Sequence, residues 1–101
     1  MLINFKTYQV SLEFFKLVRA QKVEVFMRDQ FLRAASSICL NLAEGSGKNT
    51  PTDQRKFYSI ALGSLRECQA ICDLHSPKMN SLSETADQLG AMIYRLIHPR
   101  I

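Results

Sequence analysis

Phe31-Leu32-Arg33-Ala34-Ala35-Ser36-Ser37-Ile38-Cys39-Leu40-Asn41-Leu42-Ala43-Glu44-Gly45 carries the clearest periodic signal in the chain. Phe31, Ala35, Ile38 and Leu42 recur at steps of three and four residues, which places them on one face of an α-helix. The pattern predicts a helix over 28–44. Gly45 stands where a C-cap glycine belongs, because glycine takes positive φ without steric cost. Gly45 to Asn49 then reads as a loop. Thr50-Pro51-Thr52-Asp53 restarts a helix. Thr50 can cap it, Pro51 suits its first position, and Asp53 favours the positive helix end.

Working outward, the next helix is predicted over 51–75. Phe57, Ile60, Ala61, Ser64, Cys68, Ile71 and Cys72 share its expected core face. Ser76-Pro77 breaks it. A fourth helix is predicted over 82–97, with Leu82, Ala86, Leu89, Ile93, Leu96 and Ile97 as its apolar stripe. Ser81 or Ser83 can cap it, Glu84 would complete a capping box on Ser81, and His98-Pro99 ends it. Upstream, a first helix is predicted over 4–21. It carries two apolar lines: Phe5, Tyr8, Leu12 and Phe15 read as its core face, while Ile3, Val10, Phe14 and Leu17 point nearly opposite. A helix in a lone bundle needs one stripe. The second line therefore predicts a contact between subunits; the alternative is partial exposure at the edge of the first stripe.

Four amphipathic helices joined by short connections predict an all-α, antiparallel up-and-down four-helix bundle, with 1–101 as one domain. A domain this short buries only about two-thirds of its unfolded surface, so association offers a way to bury more. Thirteen Lys and Arg against nine Asp and Glu give a formal charge of +4, a mild preference for anionic partners. The basic residues are scattered, as on an ordinary solvated surface. Three cysteines, an odd number, argue against a disulfide framework and point to a reducing cytoplasm. No signal peptide and no bilayer-spanning apolar stretch is read.

Arg33, Ser37, Asn41 and Glu44 form a polar stripe beside the Phe31–Leu42 face. Ser64 falls inside the core arc of the next helix and Glu67 at its edge. A buried polar side chain without a partner costs roughly 1–3 kcal/mol. The expectation is a structural network across the two helices, with Arg33 facing Glu67 or Glu44; the alternative is a stripe facing water. Glu44 and Glu67 have no nucleophile or base beside them, and His75 and His98 are distant in sequence, so no catalytic residues and no enzyme are expected. Cys68, Cys72 and His75 share a helical face but supply three candidate ligands where structural zinc takes four. No metal and no cofactor are expected. Gly45-Ser46-Gly47-Lys48 lacks the leading glycine and the Ser or Thr of a phosphate loop.

Arg33-Ala34-Ala35-Ser36-Ser37-Ile38, followed by Asn41-Leu42-Ala43-Glu44-Gly45, resembles the signature of a bacterial four-helix bundle family. That family is encoded by intervening sequences of 23S ribosomal RNA genes and is also labelled S23 ribosomal protein. Phe57, Ile60, Ala61, Gly63, Ser64, Leu65 and Glu67 form a second match, and Phe5-Lys6 with Tyr8-Gln9 is similar to the family's opening. The resemblance implies a homo-oligomer, typically a five-fold ring. A related group, the accessory variability determinants of diversity-generating retroelements, forms basic rings that bind nucleic acid and a reverse transcriptase. Two features depart from the pattern: a short first connection, around 20–27, and an end at Ile101. The first bears on the assembly interface and so on the five-fold state. The expected function is RNA or DNA association through a basic surface, with Lys48, Arg55, Lys56 and Arg66 as candidate contacts. The alternative is a protein-interaction scaffold or a reverse-transcriptase accessory subunit.

Overall fold

The computed structural model describes residues 2–75 and 80–99. A short 3-10 turn, Leu2–Asn4, precedes four α-helices: α1 Lys6–Arg19, α2 Val25–Ser46, α3 Pro51–His75 and α4 Asn80–Ile97. No strand occurs among the described residues. Each helix packs on its neighbour in sequence, and α1 closes the arrangement against α4. Residues 20–24 and 47–50 join the first three helices. Five extended residues reach at most about 18 Å, less than the length of even α1 at about 1.5 Å per residue. Helices that lie side by side on such links must alternate in direction. The result is an all-α four-helix bundle measuring 40 × 23 × 21 Å, one long helix by two helix widths.

Helix α2 buries Phe31, Ala35, Ile38 and Leu42. Helix α4 buries Leu82, Ala86, Leu89 and Ile93, with Leu96 and Ile97 partly buried against the same core. Thr50 caps α3: its Oγ1 accepts the Asp53 backbone N–H at 3.2 Å. Helix α3 is rotated from the predicted face. Tyr58 and Leu65 are buried beside Ala61, Cys68 and Ile71, while Ile60 is exposed. Ser76 and Pro77, and the side chain of Ser81, lie outside the described residues.

Helix α1 departs most from its sequence reading. Its buried line is Thr7, Ser11, Phe14 and Val18, midway between the two predicted lines. Phe14, expected at a subunit contact, is 1% exposed and belongs to the core. Val10 and Leu17 pack partly buried on one flank of that line, and Phe5, Tyr8 and Phe15 on the other. Ile3 is exposed in the turn that precedes the helix. Parts of both lines thus flank one buried face with small polar Thr7 and Ser11 at its centre beside Phe14 and Val18, while Leu12, expected in the core face, is 37% exposed. The small centre lets α1 approach α2 closely: the Cys39 thiol donates to the Ser11 carbonyl at 3.3 Å. The Ser11 hydroxyl is satisfied locally, donating to the Tyr8 carbonyl at 2.6 Å.

Helix α2 also runs past its predicted end. Gly45 lies inside the helix, and the cap is Gly47 with φ −88°. No described glycine has positive φ. Gly45 is needed for a different reason. A Cβ there would meet Tyr58 Cε1 at 2.7 Å and Phe57 Cβ at 3.1 Å. The glycine lets the end of α2 pack on the start of α3.

Candidate functional site

The polar stripe on α2 divides at the α2–α3 seam. Ser37 Oγ and Ser64 Oγ lie 2.8 Å apart. Asn41 Nδ2 donates to the Ser37 carbonyl at 2.8 Å and to Ser37 Oγ at 3.0 Å. With Asn41 donating to its hydroxyl oxygen, Ser37 has its own proton to give to Ser64. Three half-buried polar side chains thereby satisfy one another across two helices.

The charged ends of the stripe lie elsewhere. Arg33 is exposed, and no carboxylate of the described residues lies within ion-pair distance of it. Glu44 is exposed and pairs with Lys48 at 3.2 Å. Glu67 is exposed and accepts from Gln30 Nε2 at 3.2 Å. The expected Arg33 pairing with Glu67 or Glu44 within the chain is therefore absent among the described residues. The reason is helical drift. Each four-residue step turns a side chain about 40° further around the axis. Asn41 is carried towards the core, Ser37 reaches the seam, and Arg33 is left on the outside.

The candidate basic contacts also separate. Lys48 is paired with Glu44 and lies over the Phe57 ring, 5.0 Å from its centroid. Lys56 is paired with Asp53 at 3.7 Å. Arg66 donates to the neutral Gln69 at 2.7 Å and reaches across to α4 beside Gly90. Arg55 lines an open pocket of about 270 Å³ together with Pro51, Gln54, Tyr58, Arg95, Leu96 and Pro99. Arg95, in the last turn of α4, was missed by sequence reasoning. Its signal was present in the antiparallel order, which brings the end of α4 beside the start of α3. Arg55, Arg66 and Arg95 thus occupy the α3–α4 side of the bundle, without an ion-pair partner among the described residues.

Cys68, Cys72 and His75 do not make a metal centre. Among the described residues no group of three or more His, Cys, Asp or Glu is placed to hold a metal ion. Burial pushes the Cys68 thiol up to about 12, and burial likewise raises Cys39 and Cys72. Such thiols resist becoming the thiolate that binds metal. No helix among the described residues is long and apolar enough to cross a membrane.

Residues 3–96 match the sequence profile of a family described as 23S rRNA-intervening sequence protein. The chain belongs to that family. Both halves of the α2–α3 seam, Ser37 with Asn41 and Ser64, fall inside the matched span of this intervening-sequence family member. So do Arg55, Arg66 and Arg95. Comparison with curated proteins and with solved structures gives no match.

Proposed function

We propose that this chain is a non-enzymatic, homo-oligomeric bundle that associates with RNA through its α3–α4 side. The observation that carries the RNA reading is the row of Arg55, Arg66 and Arg95, which have no carboxylate of the described residues within ion-pair distance. Arginine presents a planar fork of donors that suits phosphate. The pocket between Arg55 and Arg95 has Tyr58, Leu96 and two prolines in its wall, a surface on which an unstacked base can rest. Lys48 and Lys56 contribute less, because each already faces a carboxylate.

Assembly is supported by the exposed large apolar side chains, among them Val25, Phe26, Leu40 and Leu74. Large apolar side chains left open to water on a small domain gain by being covered in a contact. The same observation favours the competing reading, a protein-interaction scaffold with no nucleic-acid partner.

An electrophoretic shift titration with a structured stem-loop RNA at two salt concentrations separates the two. Binding at low salt should weaken steeply at high salt, because phosphate contacts release counterions. The Arg55→Glu, Arg95→Glu double variant should lose the shift. The absence of any RNA-dependent shift at low salt would leave the scaffold reading standing alone.

A further inference from the structure

Two exposed rows on the outer side of the α2–α3 pair have the same construction. On α2, Phe26, Arg33 and Leu40 follow at seven-residue intervals; on α3, Ile60, Glu67 and Leu74 do the same. Seven residues are nearly two full helical turns, so each row keeps to one side of its helix over about 21 Å. The four apolar members are open to water: Phe26 is 74% exposed, Leu40 68%, Ile60 51% and Leu74 79%. At the centre of each row stands an exposed charge, positive on α2 and negative on α3. Arg33 has no ion-pair partner among the described residues, and Glu67 meets only the neutral Gln30. Gly63 leaves open space beside the α3 row, since a Cβ there would meet nothing within 4 Å.

We propose that the α2 row of one copy seats on the α3 row of another, with Arg33 and Glu67 forming the ion pair at the middle of the contact. This rests on the reading that the chain assembles with itself, and it names the surfaces. Apolar contacts combined with charges that set the partner are a pattern by which helices pack side by side. Charge selects the pairing: α2 on α2 would set Arg33 against Arg33, and α3 on α3 would set Glu67 against Glu67. Because each charge is central in its row, the pairing holds whichever way the two helices run. Every copy carries both halves, so the contact can pass from copy to copy and close into a ring.

The test uses Arg33→Glu, Glu67→Arg and the double variant, each checked for helicity by circular dichroism and for mass by light scattering at tens of micromolar. Each single variant should keep its helices and fall to one chain mass, 11.5 kDa for the wild type. The double variant should assemble again. Mixing the two single variants should also restore assembly. The α2 row of the Arg33→Glu copy, now negative at its centre, then faces the α3 row of the Glu67→Arg copy, now positive. An ion pair within one chain would give no rescue on mixing. Single variants that assemble like an oligomeric wild type, or a folded double variant that stays monomeric, would overturn the Arg33–Glu67 contact alone. A monomeric wild type would overturn the assembly reading beneath it.

Discussion

The inner and outer sides of the α2–α3 pair are built by the same two stretches of sequence in opposite ways. At the seam, Gly45, Ser37, Asn41 and Ser64 are small or mutually satisfied, and they bring two helices into contact. On the outer side, Phe26, Leu40, Ile60 and Leu74 are large and bare, and Arg33 and Glu67 stand among them. Arg33 and Ser37 are four residues apart, yet only Ser37 reaches α3. Membership of one sequence signature therefore does not assign one role. A drift of about 40° per four residues separates side chains that hold the fold from those left exposed.

The comparison predicts unequal costs. Gly45→Val should be the most damaging substitution, because Tyr58 is buried and its ring must move. Overpacking of this kind costs typically about 1–3 kcal/mol, and valine's stiff side chain adds to it. Chemical denaturation should show the midpoint fall; an unchanged midpoint would mean the two helix ends separate freely. Ser37→Ala removes one of the two acceptors of Asn41, leaving the backbone carbonyl, and takes away the partner of Ser64. A loss of about 1–2 kcal/mol is expected from a half-buried group left unpaired. Arg33→Ala should change the stability of the single chain by less than about 0.5 kcal/mol, as for a solvated side chain. A loss of several kcal/mol would place Arg33 back inside the seam.

A pH series tests the core beside this seam. The folded Cys68 thiol is held up to about 12 by burial, above its ordinary 9.0. Below pH 9 both the folded and the unfolded chain keep that proton, and its contribution is fully present. Above pH 9 the unfolded chain releases the proton first, so stability should fall as pH rises towards 12. Denaturation midpoints between pH 8 and 11 should slope downward, and less so in Cys68→Ala. Identical slopes would show that Cys68 is not desolvated.

The apolar faces of α2 and α4 were legible because large aliphatic side chains fall on one side at helical spacing. Helix α1 was misread because Thr7 and Ser11, polar by type, occupy the centre of its buried face. Helix α3 is apolar around much of its circumference, so Ile60 was placed inside where Tyr58 and Leu65 belong. Ser64 stood out in sequence as a polar residue among apolar ones. Arg33 did not reveal its exposure, because steps of four residues were read as a straight stripe. Gly45 was legible as special, but its reason, contact with Tyr58 and Phe57, depends on tertiary approach.

The proposed assembly depends on another copy of the chain covering the outer side of the α2–α3 pair. Sedimentation of the wild type across a concentration series at tens of micromolar tests that directly. Species of several chain masses are predicted, dissociating on dilution. A single species of 11.5 kDa at every concentration would contradict it.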